Sequence, residues 1–288
     1  MIKVLITGGS GFLGSSIINY LSKKKFRFFY VVRKKSNLSR IQKYKKNKKI
    51  IYEDNKIENL FKKQKIDLIL HCATNYGTND TDINNIIQSN LVLPLKLLSL
   101  AKKYKIKRFI NTDTVLNKKI SLYTLSKFQF YEWFNEYSKD LYCCNVKIEH
   151  FFGPKDNETK FVISLIKSIL KKKKIRLTKG EQKRDFIYIK DVVSAFEKII
   201  INSLKIKKGK RTFEIGTGKS YSIKNIVLLI LKLTNRDKKI VSFGALPYRK
   251  NELMNIKLNI KRLKKIGWKP NFNLQQGLIE TINYYKKK

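Results

Sequence analysis

Cysteine and histidine are scarce in this chain, and their scarcity argues against a disulfide-linked or metal-dependent protein. Three cysteines, Cys72, Cys143 and Cys144, and two histidines occur in 288 residues. An odd number of cysteines, with two of them adjacent, suits reduced thiols in a cytosol rather than a disulfide framework. The cysteines also lack the regular spacing of a metal site. The sequence therefore predicts a cytoplasmic protein without a metal centre.

Long apolar runs are also missing. The longest, residues 226–231, is far too short to cross a bilayer. The first residues, MIKVLITGG, have the pattern of a strand and a tight turn, so we expect neither a signal peptide nor a transmembrane segment. Hydrophobic residues make up 42% of the chain and aromatic residues 12%, which is enough for a packed globular core.

Acidic side chains are few, and the chain carries a large positive charge. It has 21 Asp and Glu against 64 Lys and Arg, a formal net charge of +43, which could attract nucleic acid or an anionic membrane. However, ten of the 64 are Arg, the side chain better suited to phosphates and bases, and lysine is spread through every segment. We interpret the charge as a solvated lysine-rich surface that binds polyanions nonspecifically, with no specific nucleic-acid partner. The alternative from another class is a nucleic-acid-binding protein.

A glycine-rich loop follows the first apolar run. Residues 2–6 are rich in β-formers, and they lead into Gly8-Gly9-Ser10-Gly11-Phe12-Leu13-Gly14 and then a helical pattern. Gly8, Gly11 and Gly14 permit a tight turn, a close approach of the backbone to a pyrophosphate, and close packing of helix on strand. This order of strand, loop and helix predicts a dinucleotide-binding site.

The ends of the next two strands bear on which cofactor binds. The second strand, FRFFYVV, ends at Arg33, with Lys34 and Ser36 nearby and no acid to bond the 2′-hydroxyl of NAD. Cations at this position suit a 2′-phosphate, so NADP(H) is favoured and NAD(H) is the alternative. A third strand ends near Asp54, which either accepts from the adenine amino group or is an ordinary loop carboxylate.

The following segments predict an α/β protein with a Rossmann-type, doubly wound parallel sheet. Residues 66–73 form a continuous apolar run typical of a strand buried on both faces, in which His71 is expected to be structural. A long helical pattern over residues 83–104 and a fifth strand follow, so strands and helices alternate. We expect a cofactor-binding domain over 1–150, with returns near 185–218, and a smaller C-terminal substrate-binding lobe over 151–288.

Tyr123 and Lys127 stand four residues apart directly after the fifth strand. On a helix they lie on one face, where an ammonium favours ionisation of a neighbouring phenol. Chance gives roughly three Tyr-xxx-Lys pairs at this composition, and six occur. The spacing alone therefore indicates little, and the position after the fifth strand selects this pair. Such a pair can protonate a carbonyl oxygen while a nicotinamide cofactor delivers hydride.

Several motifs occur together in one order along the whole chain. They are TGGSGFLG, LILHCAT, NTDT before YTLSK, FFGP, GEQKRDFIYIKDV, FEIGTG and IGWKPNFNLQQGLIETINYY. In this combination the chain resembles the extended short-chain dehydrogenase/reductase family, the NAD-dependent epimerases and dehydratases of nucleotide-diphosphate sugars. Within that family it is most similar to reductases of 4-keto-6-deoxyhexoses, which contribute to surface polysaccharide synthesis.

The resemblance implies roles for individual residues. Tyr123 would be the general acid/base, Lys127 would hold the nicotinamide ribose and lower the tyrosine pKa, and the Thr112 hydroxyl would bond the sugar carbonyl. The glycines of the N-terminal loop would contact the pyrophosphate, with Phe12 and Leu13 beside it.

The Thr-Asp-Thr turn distinguishes between reactions within the family. In related dehydratases an Asp-Glu pair performs the acid/base steps of water elimination. Here Thr114 replaces the Glu, and a threonine hydroxyl cannot act as the base at neutral pH. The resemblance therefore implies reduction, with a 4-epimerase that uses tightly held NAD as the enzymatic alternative.

The C-terminal lobe carries the remaining predicted substrate-binding groups, to which Thr114 is added from the turn. By resemblance, Arg184 and Arg249 clasp the sugar diphosphate. His150 replaces an Asn that touches the substrate phosphate in relatives, and it could add charge there or simply pack at a strand end. The substrate would be a CDP-, dTDP- or GDP-linked sugar, with CDP favoured. Asp191 is expected to be the N-cap of the helix that follows the RDF segment.

The resemblance also implies a homodimer. Relatives pair through the helices that correspond to residues 83–104 and 121–138. The aromatic residues Phe130, Trp133, Phe134 and Tyr137 fit either such an interface or the protein core.

Overall fold

A computed structural model describes residues 1–34, 36–44, 50–51, 54–77 and 82–287. The chain divides into two compact units. The first contains Met1–Ile148 and Phe196–Phe213, and the second contains Glu149–Ala195 and Glu214–Lys288. The segment that returns to the first unit is thus 196–213, whereas the sequence predicts returns near 185–218.

The elements are numbered in chain order. The strands are β1 (Ile2–Thr7), β2 (Phe26–Val31), β3 (Ile50–Ile51), β4 (Leu68–His71), β5 (Arg108–Asp113), β6 (Tyr142–Ile148), β7 (Phe151–Phe152), β8 (Ile175–Arg176), β9 (Lys183–Arg184), β10 (Ile187–Tyr188), β11 (Gly209–Ile215), β12 (Tyr221–Ser222) and β13 (Val241–Ser242). The α-helices are α1 (Phe12–Leu21), α2 (Asp54–Lys63), α3 (Ile83–Ile87), α4 (Leu93–Lys103), α5 (Leu122–Glu136), α6 (Phe161–Leu170), α7 (Ile189–Ser203), α8 (Ile223–Thr234), α9 (Lys261–Lys265) and α10 (Leu274–Lys286). A π-helical turn at Gln88–Val92 joins α3 to α4, and 3-10 turns lie at Ser39–Tyr44, Tyr137–Lys139 and Lys238–Ile240.

In the described part of the chain, seven strands form the large sheet, in the order β11-β6-β5-β4-β1-β2-β3. Every adjacent pair from β3 to β6 is parallel. The continuous apolar runs predict such strands because both faces of a parallel sheet are covered. The predicted Rossmann-type sheet is confirmed. Because the strands are parallel, the carboxyl ends of four of them lie at one edge of the sheet, where open α/β sheets bind ligands. These ends are Thr7, Val31, His71 and Asp113.

Aromatic side chains fill the core between the sheet and α5. Phe109 of β5 lies 5.3 Å, ring centroid to ring centroid, from Phe134, which in turn lies 5.5 Å from Phe130. Both α5 phenylalanines are buried, whereas Trp133 of the same helix is 56% exposed. Of the two alternatives for these aromatics, Phe130 and Phe134 therefore belong to the core.

The second unit contains short strand pairs and helices. β7 pairs with β10, β8 with β13, and β9 with β12, and α6, α8 and α10 pack against one another. Asp191 lies in the first turn of α7, and its carboxylate accepts from the backbone N–H groups of Asn271 and Phe272, each at 2.9 Å. The N-cap prediction for Asp191 is wrong because the helix begins two residues earlier. Within the described residues, no helix combines the length and apolarity that crossing a bilayer requires.

Candidate active site

The glycine loop between β1 and α1 has the shape of a phosphate cradle. Gly8 has a φ of +67°, and a Cβ there would lie 2.6 Å from backbone atoms of Cys72 and Ala73. A Cβ at Gly14 would overlap the Gly8 backbone. Gly11 is the N-cap residue of α1, and no side chain caps the backbone N–H groups of the first turn. The positive end of the helix therefore adjoins a loop that only glycine can form, an arrangement that fits a dinucleotide pyrophosphate. Phe12 and Leu13, which the resemblance places beside the pyrophosphate, are the first two residues of this helix.

Arg33 lies in a tight turn just after β2. Its N–H donates to Ser36 Oγ at 3.1 Å, and its carbonyl accepts from Ser36 N–H at 2.9 Å. Because Thr7 and Val31 are register partners, this turn and the glycine loop leave adjacent strands at one edge of the sheet. Arg33 thus has an exposed side chain just after β2, at this edge of the sheet. The predicted adenine contact of Asp54 concerns a side chain outside the described part of the chain.

Helix α5 carries the predicted acid/base pair. Ser121 caps it in a reciprocal capping box with Thr124, which fixes where the helix begins. Lys127 is 1% exposed, and its Nζ donates to the Thr112 carbonyl at 2.8 Å. Tyr123, one turn earlier, is half-buried, with its ring centroid 5.0 Å from that of Tyr76. The structure therefore brings Tyr123 and Lys127 to the end of β5.

Burial changes the ionisation of Lys127. Removal from water lowers its pKa to about 8, whereas the charge of Asp113 acts in the opposite direction. Cys72 itself is held in its thiol form because burial raises its pKa to about 12. Lys127 is therefore an ammonium at neutral pH, despite its burial.

The two threonines of the turn after β5 are both engaged. Thr112 Oγ1 donates to the His71 carbonyl at 3.0 Å. A hydroxyl has one proton, so bonding a sugar oxygen requires this group to leave its backbone partner. Thr114 Oγ1 accepts from Leu116 N–H at 3.1 Å, and Thr114 N–H donates to Asp113 Oδ1 at 2.8 Å.

Asn90 is a site-organising residue that the sequence reasoning missed. It is fully buried in the π-helical turn between α3 and α4. Its Nδ2 donates to the Asn75 carbonyl at 2.8 Å and to Ser126 Oγ at 3.0 Å, and its Oδ1 accepts from Asn75 N–H at 2.8 Å. Asn90 thus ties the loop after β4 to the helix of Tyr123 and Lys127. The sequence gives one indication of this role: Asn90 is a polar residue in an otherwise apolar helical pattern, four residues before Pro94.

His150, in the second unit, adopts an unusual backbone conformation with a φ of +46°. Its ring lies edge-on to Phe186 at 5.4 Å between centroids. Burial, followed by the charges of Arg184 and Lys160, lowers its pKa to about 4. The ring is therefore neutral at pH 7, and the additional charge expected from its ordinary titration range is absent from this structure.

The two predicted arginines of the second unit differ in their surroundings. Arg184 is nearly buried, forms an ion pair with Glu252, and donates to the Lys183 and Leu253 carbonyls at 2.8 Å and 2.5 Å. The Arg249 side chain is exposed, and its carbonyl accepts from Glu252 N–H at 3.0 Å. The segment that contains Arg249 therefore supplies the partner of Arg184, a carboxylate that the sequence reasoning missed. Among the described residues, no group of three or more His, Cys, Asp or Glu could hold a metal ion.

Comparison with known proteins agrees with this geometry. Residues 4–216 match the profile of the NAD dependent epimerase/dehydratase family. The chain is 35% identical to the CDP-abequose synthase of Salmonella typhimurium, over 97% of each chain. It is 27% identical to the dTDP-D-glucose 4,6-dehydratase of Dictyostelium discoideum, over 99% of this chain and 81% of the other. The UDP-glucuronic acid 4-epimerase of Bacillus cereus, solved with UDP-glucuronic acid and NAD, superposes with a TM-score of 0.86 at 22% identity, covering 99% of each chain. The chain therefore belongs to the NAD dependent epimerase/dehydratase family, a group of extended short-chain dehydrogenases/reductases.

Proposed function

We propose that this protein reduces the C4 carbonyl of a nucleotide-diphosphate 4-keto-6-deoxyhexose with NADPH. The observation that carries the proposal is the bond from Lys127 Nζ to the Thr112 carbonyl, which fixes the acid/base helix at the end of β5. The similarity to CDP-abequose synthase over 97% of each chain supports a deoxysugar substrate and favours CDP as the nucleotide.

The residues of the first unit have distinct tasks in this reaction. The glycine loop would hold the pyrophosphate of NADPH, and the cofactor would supply the hydride. The Tyr123 hydroxyl gives its proton to the carbonyl oxygen, which would otherwise become an alkoxide. The buried ammonium of Lys127 stabilises the phenolate that remains and holds the nicotinamide ribose. Thr112 donates to the same oxygen after leaving the His71 carbonyl. We propose that His150, Arg184 and Arg249 of the second unit bind the diphosphate of the substrate.

The turn after β5 favours reduction over dehydration. Water elimination needs an acid and a base beside the sugar, and Thr114 supplies a hydroxyl at the position of the second carboxylate. Both oxygens of Asp113 are engaged, Oδ1 by Thr114 N–H at 2.8 Å and Oδ2 by Asn145 Nδ2 at 2.6 Å. The turn therefore has one carboxylate, Asp113, in place of the pair that the resemblance assigns to dehydratases.

The reaction is tested with a panel of CDP-, dTDP- and GDP-linked 4-keto-6-deoxyhexoses. We expect one NADPH to be oxidised for each sugar reduced, with the product identified by NMR. A 4-epimerase would copurify with NAD and interconvert two sugars without added NADPH, and that result would overturn the proposal. Specific, salt-resistant RNA binding without NADP(H) binding would support the nucleic-acid alternative.

Arg33 is expected to set the cofactor preference. Replacement by Gln removes a charge-assisted contact to the 2′-phosphate and should raise the KM for NADPH by about tenfold or more, with little change for NADH. Steady-state kinetics with both cofactors measures this ratio. Arg211→Gln, which removes an equal charge from an exposed position elsewhere in the first unit, should leave the preference unchanged. An unchanged ratio in the Arg33 variant would count against NADP(H).

Exposed apolar side chains on α3, the π-helical turn and α5 support a homodimer. Trp133 and Leu122 are 56% and 52% exposed, and Ile83, Leu125 and Val92 are also exposed. We expect the chain to sediment as a dimer and Trp133→Glu to sediment as a monomer, because a charge in such an interface is costly to desolvate. Leu228→Glu, on an exposed position of α8, is the matched control and should remain dimeric. A monomeric wild-type protein would refute this arrangement.

A further inference from the structure

Four polar side chains lie side by side in an otherwise apolar part of the parallel sheet. Thr7 of β1 is the register partner of His71 of β4, His71 of Asn111 of β5, and Asn111 of Asn145 of β6. All four are at most 1% exposed. Register partners on neighbouring parallel strands project to the same face. They therefore form a buried polar row, on the face where the His71 ring lies 6.0 Å from that of Phe130.

Most of the row is connected by hydrogen bonds. Thr7 Oγ1 lies 2.8 Å from His71 Nδ1, Asn111 Nδ2 donates to Asn145 Oδ1 at 2.8 Å, and Asn145 Nδ2 donates to Asp113 Oδ2 at 2.6 Å. Two buried atoms of the row, His71 Nε2 and Asn111 Oδ1, have no partner among the residues that the structure describes. Buried polar atoms in proteins are almost always satisfied by protein or water, so this pair requires an explanation.

The carboxylate at one end determines the direction of every bond. An ionised Asp113 can only accept, so the NH2 group of Asn145 must face it and the Asn145 oxygen must face Asn111. The NH2 group of Asn111 consequently faces β6, and its oxygen faces β4.

The other end of the row requires a matching donor. Thr7 Oγ1 already accepts from Ala73 N–H at 3.2 Å, so its own proton is available for His71 Nδ1. Burial holds the pKa of His71 well below its usual value, so the ring is neutral and carries one proton. Donation from Thr7 Oγ1 to Nδ1 puts this proton on Nε2. The unpartnered nitrogen of His71 and the unpartnered oxygen of Asn111 therefore belong to register partners on neighbouring strands.

We propose that a buried water molecule joins His71 Nε2 to Asn111 Oδ1, so that one continuous hydrogen-bond chain runs from Thr7 to Asp113 and orients the Asp113 carboxylate near Lys127. The site has a donor and an acceptor for such a water, and bonds that all run in one direction polarise one another. His71 and Asn145 are thereby positioning residues that act through Asp113.

This carboxylate matters because Lys127 must remain protonated although it is buried, and a nearby anion favours the protonated form. Its titratable neighbours on the adjacent strands are His71, Cys72 and Asp113. Because His71 and Cys72 are neutral, Asp113 is the anion among these three neighbours. The hydrogen-bond chain thus makes Asp113 an electrostatic partner of Lys127 rather than an acid that reaches the sugar. This catalytic consequence rests on the proposed reduction, whereas the hydrogen-bond chain itself does not.

The hydrogen-bond chain is tested by NMR of ¹⁵N-histidine-labelled protein, because the sequence has two histidines. His150→Asn identifies the signals of His71. We expect His71 to be protonated on Nε2 and not on Nδ1, without change from about pH 8 to about pH 5. A proton on Nδ1, or a charged ring at neutral pH, would overturn the proposal.

The connection between the two ends is tested with Asp113→Asn. This change removes the charge that orients the amides, so the His71 ring signals should shift even though no direct contact joins the two side chains. Asp140→Asn removes a carboxylate that pairs with Lys102 at the surface and should leave the signals unchanged. Identical His71 spectra in the wild type and Asp113→Asn would refute the hydrogen-bond chain.

The effect on Lys127 is measured as a pH profile. In Asp113→Asn the loss of the anion should move the alkaline limb of kcat/KM for reduction to lower pH by about one unit, with no shift in Asp140→Asn. The pH dependence of NADPH affinity should show the same displacement without any sugar. If no sugar is reduced but NADPH affinity shifts, the proposed function fails and this inference stands. If reduction occurs and neither profile shifts, the inference fails alone.

Discussion

Replacing Tyr123 with phenylalanine is expected to lower kcat for carbonyl reduction by about 10²–10⁴-fold, the usual contribution of a positioned general acid. The phenol is the proton donor on the helix that Lys127 attaches to the Thr112 carbonyl. The ring of Phe keeps the contact with Tyr76, so the fold and NADPH affinity should change little. Stopped-flow measurement of NADPH oxidation, together with a fluorescence titration of NADPH, separates the chemical step from binding.

Tyr20→Phe is the matched control for this experiment. Tyr20 near the end of α1 and Lys24 in the turn that follows it form another Tyr-xxx-Lys pair, but the Tyr20 hydroxyl donates to Glu197 Oε2 at 3.1 Å. The same chemical change there should leave kcat unaltered. If Tyr123→Phe retained activity close to that of the wild type, another group would have to be the acid.

Replacing Lys127 with methionine is expected to lower kcat/KM by about 10²–10³-fold, because a fixed charge in a dry site is lost. It should also change how stability depends on pH. The pKa of Lys127 is about 8 in the folded protein, against an ordinary value of 10.5. Below pH 8 both the folded and unfolded states hold the proton. Between these two values the unfolded state binds a proton that the folded state has lost, so stability rises with pH.

The prediction for Lys127 is therefore a difference between two proteins. The free energy of unfolding of the wild type, minus that of Lys127→Met, should increase from about pH 8 to about pH 10, as measured by urea titration at each pH. The subtraction cancels the contributions of the other lysines. A difference that stayed constant over this range would show that Lys127 has an ordinary pKa in the folded state. Lys24→Met, at an ammonium bonded to Glu197 on the surface, should leave kcat/KM unchanged.

Local patterns in the sequence were sufficient to predict the sheet and the cofactor loop. An apolar strand such as 68–71 and a glycine loop between strand and helix each carry their signal within a few neighbouring residues. The position of Tyr123 after the fifth strand likewise selected one of six similar pairs. These features depend on short-range geometry, which periodicity and turn chemistry reveal.

The features that the sequence did not reveal depend on contacts between distant residues. The bond from Asn90 to Ser126 joins side chains 36 positions apart, and the ion pair of Arg184 with Glu252 spans 68. Ionisation was equally hidden, because the lowered pKa of His150 follows from burial and from two cations brought close by folding. In a chain with 64 basic residues, composition gives no guide to which charges meet.

The polar row across the sheet also constrains how the strands can align during folding. Apolar strands of similar length can slide past one another by two residues and still present apolar side chains to the same face. Here a two-residue slip in one direction would place Thr7 opposite Ile69, or Asn145 opposite Phe109, with the hydrogen-bonding groups of the polar side chain buried and unpaired. Misaligned sheets should therefore be short-lived, and the same four side chains that orient Asp113 should select the correct alignment of β1, β4, β5 and β6 as the sheet assembles.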